Sequence, residues 1–120
     1  MPETNNEYGE IKISPDVISA YVATTVLEIE GVYDLGSNLQ AAISKNILGK
    51  DTSNRGIKIT ESKEEGIIID IFIIVKFGTK IPEIAWNIQK KITETLNNTV
   101  QMPVSEVNIN VQGVHIERKE

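Results

Sequence analysis

Apolar residues recur along this chain in two rhythms, near 3.6 and near 2, and the changes of rhythm mark out the elements. Ile11 and Ile13 alternate with Glu10 and Lys12 as in a short half-buried strand, after a polar lead-in, "MPETNNEY", expected to be frayed. "ISPDV" then opens a helix. Ser14 can accept a bond from a free amide of the first turn, Pro15 has no amide to lose there, and Asp16 suits the positive end of the dipole. Gly31 is the expected stop. Ile18, Val22, Val26 and Ile29 share one stripe, while Ala20, Ala23 and Leu27 make the opposite side apolar too. This helix is therefore expected to have more than one neighbour.

In "GSNLQAAISKNILGKDTSNRG" the spacing of Leu39, Ala42, Ile43 and Ile47 fits a short helix, followed by loop residues. From Gly56, "GIKIT" and "GIIIDIFIIVKF" read as two strands of an antiparallel hairpin, joined by the charged turn around "ESKEEG". "IPEIAWNIQKKITETLNN" is a helix with Ile81, Ile84, Ile88, Ile92 and Leu96 on one stripe, Pro82 tolerated in the first turn, and Trp86 well off the stripe. "VSEVNINVQGVHIE" is the last strand. Within it Val107, Ile109 and Val111 have one parity and Val114 and Ile116 the other, which predicts a β-bulge at Gly113.

The order strand, helix, strand, strand, helix, strand predicts an α+β fold, a two-layer sandwich with a small sheet and both main helices on one face. A single domain is expected over residues 9–117, flanked by a flexible N-terminus at 1–8 and a tail at 118–120.

The long strand poses a question. Ile67, Ile69, Ile71, Ile73, Val75 and Phe77 share one face, enough to line a core beneath two helices. The other face carries Ile68, Asp70, Phe72, Ile74 and Lys76, although a two-layer fold leaves that face uncovered. An apolar stripe between polar borders marks a modest association site; the alternative is a central strand shielded by its neighbours. Asp70 would need a polar partner in a dry interface. Trp86 is a further interface candidate as a lone Trp off its helix's stripe, or else it packs under the residue 32–50 loop. Ile68, Phe72, Ile74 and Trp86 are thus the interface candidates.

Length changes the picture little: 120 residues suit one domain, and 40% hydrophobic with 24% charged residues is ordinary globular usage. The formal charge of −5 argues against binding to a phosphate backbone or to anionic lipid. There is no Cys, so disulfides and thiolate metal sites are excluded. The polar start lacks the basic and apolar pattern of a secretory signal, and no apolar run approaches the roughly 20 residues of a spanning helix. A cytoplasmic location is expected.

Little chemistry assembles. His115 is the only His, and a solvated strand-end His explains it better than a metal ligand; no metal site and no cofactor are expected. "LGKDT" fails as a phosphate-binding loop, since Ser44 stands where the leading Gly is required and Asp51 where the hydroxyl residue belongs. The carboxylates Glu28 with Glu30 and Glu64 with Glu65 lie at a helix end and a turn, where solvated charge is ordinary. With no nucleophile, base and oxyanion donor in view, an enzyme is not expected. Lys50, Arg55 and Lys58 form a small basic cluster that defines the alternative of an RNA-binding module, against an acidic chain without a clamp-type Gly-x-x-Gly loop. A small-molecule or acyl-chain carrier is a third possibility, motivated by the apolar surface and the all-round apolar first helix.

"GEIKISPDVISAYVATTVLEIEGVYDL" resembles the opening of the alkaline-shock-protein, YloU-like family of Gram-positive bacteria, with its "G-x-I-x-I-S" strand and a helix ending in "E-x-E-G-V". "IDIFIIVKFGTKIPEIAWNIQKKI" is similar to the family's apolar strand, Gly turn and "I-x-E-x-A" helix start, and "VNINVQGVHI" to its "V-N-V-x-V-x-G-V" strand. The resemblance covers about residues 9–117; "QMPV" departs from the family's turn before the last strand, and residues 36–55 follow no family pattern. The resemblance implies a small non-enzymatic cytoplasmic protein of the cell-envelope stress response. Some family members are held near the membrane by a small membrane-anchored partner and form higher assemblies. The function expected here is therefore a scaffold or interaction protein of envelope homeostasis, self-associating or docked on such a partner, with no direct membrane insertion and no nucleic acid.

Overall fold

A computed structural model describes residues 3–37, 56–62, 64, 66–99 and 103–118. The short helix expected within 39–47, together with Lys50 and Arg55, lies outside the described residues. The elements run β1 (Glu3–Asn6), β2 (Gly9–Lys12), α1 (Pro15–Leu27), β3 (Val32–Leu35), β4 (Ile57–Ser62), β5 (Gly66–Lys76), α2 (Ile81–Thr99) and β6 (Val104–His115). The fold is α+β, as expected.

β5 is the axis of a four-stranded mixed sheet. β4 pairs with it antiparallel, from Ile57 opposite Ile71 to Ser62 opposite Gly66, so the expected hairpin is present. β3 pairs antiparallel with the other end of the same edge, from Val32 opposite Val75 to Leu35 opposite Ile73. Along the opposite edge β6 runs parallel to β5, from Val104 opposite Ile67 to His115 opposite Lys76. A parallel neighbour needs a crossover, and α2 supplies it.

β3 and β4 meet end to end at Phe72. The Gly36 amide donates to the Phe72 carbonyl at 2.6 Å, and the Phe72 amide donates to the Gly56 carbonyl at 2.8 Å. The chain thus leaves the sheet at Gly36 and re-enters beside it. Gly56 has φ +74°, and a Cβ there would meet Leu35 Cβ and two backbone oxygens at about 3 Å. Only glycine fits this junction without strain.

The core lies between the sheet and the helices. Ile18, Val22 and Val26 of α1 and Ile84, Ile88, Ile92 and Leu96 of α2 bury against Ile67, Ile69, Ile71, Ile73 and Val75 of β5, with Ile57 and Val107 from the flanking strands. Each buried branched side chain contributes about 1.5–3 kcal/mol of transfer free energy. Ser14 stands at the N-cap of α1, but it is its carbonyl that serves, accepting from Val17 and Ile18; the side chain makes no cap bond. Gly31, at φ +100°, turns the chain from α1 into β3, and a Cβ there would strike Ile84.

Several expectations need correction. The predicted first strand does not join the main sheet: among the described residues β2 pairs only with β1, in a separate two-stranded ribbon, and Glu3–Asn6, expected to fray, forms β1. β2 carries one apolar residue, Ile11, which is 51% exposed, so it has no face to offer the core. The vacant sheet position is filled by β3, which the alternation did not reveal, because Tyr33 is bulged out between Val32 and Asp34 and the two buried residues, Val32 and Leu35, fall three apart. Phe77 is not a core residue: β5 ends at Lys76, and Phe77 is 71% exposed in the turn. The expectation that α1 has more than one neighbour is met, since it packs on α2, β3 and β4, while Val17, Ala20, Tyr21 and Leu27 are exposed.

Candidate interaction surfaces

The bulge expected in the last strand is present. Ile73 pairs with Val111 and Ile74 with Gly113, so Gln112 is the extra residue. Because one residue is expelled, Val114 lands opposite Val75 and keeps the side of Val107, Ile109 and Val111 despite its changed parity. The second bulge, at Tyr33, falls between the partners of Val75 and Ile74 on the other side of β5. Ile74 is therefore straddled by two bulges.

Those bulges aim side chains over the sheet face that carries no helix among the described residues. Tyr33 from β3 and His115 from β6 reach toward one another past β5 and stack, with centroids 3.8 Å apart and planes 9° from parallel. Gln112 spans the same strand: its Oε1 accepts from the Ser37 amide at 2.8 Å and its Nε2 donates to the Ser37 carbonyl. Asn108 donates to Asp70 Oδ1 at 3.1 Å, which gives that carboxylate a polar partner, and Asn110 donates to the Ile71 carbonyl at 3.4 Å. Ile68, Phe72 and Ile74 lie in this frame and are half-buried. The apolar stripe of β5 is thus partly roofed by long polar side chains from both neighbours.

Trp86 belongs to a different surface. The four buried residues of α2 leave it on the outer side of the helix, 58% exposed, with the Lys90 ammonium 5.0 Å from its ring centroid. It lies on the far side of the sheet from Ile68, Phe72 and Ile74, so the four candidates do not form one patch. Gln89, one turn on, donates to the Val107 carbonyl at 3.0 Å and ties this side of α2 to β6. Toward the C-terminal end of β6, Val111 and Val114 are 36% and 50% exposed on the helix side of the sheet, and Ile116, just beyond the strand, is 55% exposed. Sequence reasoning used those three only to place the bulge. What it missed is that β6 outruns its helical cover.

The remaining chemistry is sparse. An open cleft of about 500 Å³ is lined by Tyr33, Lys76, Phe77, His115, Ile116 and Glu117, without an assembled nucleophile and base. Among the described residues no three metal-ligating side chains cluster. Lys58, the one member of the basic trio within the described residues, is set opposite Asp70 in the β4–β5 ladder. Among the described residues no helix is long and apolar enough to cross a membrane.

A mixed sheet with both described helices on one face, and exposed apolar side chains on α2 and β6, defines a small α+β domain. Its sequence places it in a family: the model of the alkaline shock protein 23 family, of cell envelope-related function, matches residues 3–116, and the chain belongs to that family. This bears out the alkaline-shock-protein resemblance. The chain is 37% identical over 115 residues to the uncharacterized protein YloU of Bacillus subtilis (strain 168), covering 95% of each. It is 29% identical over 119 residues to the uncharacterized protein YqhY of the same organism, covering 99% of this chain and 87% of that one. To the uncharacterized protein Spy1535 of Streptococcus pyogenes serotype M6 it is 30% identical over 116 residues, covering 96% of this chain and 86% of the relative. No solved structure matches the chain.

Proposed function

We propose that the protein is a non-enzymatic scaffold of cell-envelope homeostasis and stress response, acting in the cytoplasm by associating with further copies of itself or with a small membrane-anchored partner. Membership of an envelope-related family supports the setting. The observation that carries the mode of action is exposed apolar surface: Trp86 on α2, Val111 and Val114 on β6 and Ile116 just beyond it are large, apolar and exposed. Large apolar side chains left exposed mark association sites, and Trp is enriched among the anchors within them. Ile68, Phe72 and Ile74 are the secondary surface, since neighbours already shield part of each.

Comparing Trp86→Glu with Phe72→Glu tests this ordering. Trp86→Glu is expected to weaken association at least tenfold with an unchanged circular dichroism spectrum, and Phe72→Glu to act mainly on stability. Association unaffected by Trp86→Glu and abolished by Phe72→Glu, in folded protein, would move the site to the other face of the sheet.

A further inference from the structure

Edge strands are normally blunted by charge, proline, short length or bulges, because an unpaired row of amides and carbonyls invites a second strand. The β3–β4 edge follows this rule: its strands are short, four and six residues, and carry Asp34, Lys58 and Glu61. β6 does not. It is 12 residues long, pairs among the described residues with β5 alone, and from Val107 to Val114 contains no charged residue and no proline.

Its composition is also symmetric once the bulge is taken into account. With Gln112 outside the ladder, a two-fold axis through Asn110 sets Ile109 opposite Val111 of a second strand, Asn108 opposite Gly113, Val107 opposite Val114, and Glu106 opposite His115. Every pair in this register joins residues of the same sheet face, as the pairing with β5 assigns them. The exposed Val111 and Val114 each find an apolar partner, and Glu106 is set opposite His115 instead of a second carboxylate. A parallel alignment instead sets Glu106 on Glu106. Like charges directly opposite destabilise a strand pair, whereas opposite or hydrogen-bonding pairs contribute roughly 0.2–1 kcal/mol each.

We infer that β6 pairs antiparallel with β6 of a second copy of this chain, about a two-fold axis at Asn110, joining two sheets into one. This rests on the self-associating form of the proposed function and names its surface. The joined sheet places the two α2 helices on one face of the dimer. A two-fold contact of this kind uses the same patch on both partners and closes on itself.

The native chain has no cysteine, so single-cysteine variants report the geometry cleanly. Directly opposed residues lie about 4.5–5.5 Å apart between Cα atoms, within disulfide range. Under mild oxidation Asn110→Cys is expected to form a covalent dimer and Ser105→Cys, far from the axis, to remain monomeric on a denaturing gel. A mixture of Val107→Cys and Val114→Cys is expected to give the mixed dimer above either homodimer. Val111→Lys, which places a charge at the centre of the seam, is expected to leave the circular dichroism spectrum unchanged and to lower dimer affinity at least tenfold. Homodimers at all positions alike would indicate parallel pairing and overturn the proposal. Oligomers in sedimentation without cross-linking at Asn110, or unaffected by Val111→Lys, would overturn the β6 seam and leave self-association standing. A strict monomer would overturn both.

Discussion

Gln112 holds Ser37 from across a whole strand: the residue expelled by the bulge in β6 reaches over β5 and bonds both the amide and the carbonyl of Ser37. Two edges of the sheet that never pair directly are thereby tied together. The tie sits where the chain departs from β3, next to the point at which Phe72 bonds Gly36 and Gly56. Ordinary intramolecular hydrogen bonds contribute about 0.5–1.5 kcal/mol net, so the two bonds together hold a measurable share of the sheet's stability.

Gln112→Ala is expected to lower unfolding stability by about 1–2 kcal/mol from the loss of both bonds. Deleting Gln112 removes the bulge but keeps Val114 and Ile116 on their present side, so it should fold with a similar loss. Denaturant titration of both variants checks this; a deletion that fails to fold while Gln112→Ala does fold would mean that the bulge sets the register.

The Tyr33–His115 stack is a second tie across β5. Aromatic pairs are worth about 0.5–1.5 kcal/mol beyond their buried area. Tyr33→Ala and His115→Ala are each expected to destabilise, and the double variant by less than the sum of the two. A double-mutant cycle by thermal or urea unfolding reads the coupling, and strict additivity would show that the rings do not support one another.

Ile71 is fully buried at the centre of β5, opposite Ile57 on one side and Ile109 on the other. Ile71→Ala is expected to cost about 2–5 kcal/mol through lost transfer energy and the cavity left behind. Trp86→Ala, on the exposed side of α2, should stay within about 0.5 kcal/mol of the native protein. Equal losses at the two sites in urea unfolding would place Trp86 in the fold rather than at an interface.

The residues that spelled out the fold are those whose periodicity no local feature disturbs. The five buried β5 residues and the four of α2 alternate or step regularly and were readable without coordinates. The bulge in β6 was readable too, because Val114 and Ile116 change parity beside a glycine. β3 was not, for the opposite reason: its bulge at Tyr33 spaces Val32 and Leu35 like a helix turn, and four residues are too few to reveal the break. Of the candidate site, Trp86 was legible from its position off the stripe. Exposure of Val111, Val114 and Ile116 was not, since it depends on where α2 ends its cover of β6, a tertiary fact with no periodic signature. Shielding of Ile68, Phe72 and Ile74 likewise depends on Asn108, Asn110, Gln112 and the Tyr33–His115 pair arriving from neighbouring strands.

Sedimentation velocity of the purified full chain over a wide concentration range tests self-association, the reading that the exposed Trp86, Val111, Val114 and Ile116 support. A sedimentation coefficient that rises with concentration to that of a dimer or larger assembly, and stays at the monomer value for Trp86→Glu, is the expected result. A chain that remains monomeric at the highest concentration, with Trp86 as exposed to a collisional quencher as a free indole, would contradict self-association and leave only a heterologous partner to occupy that surface.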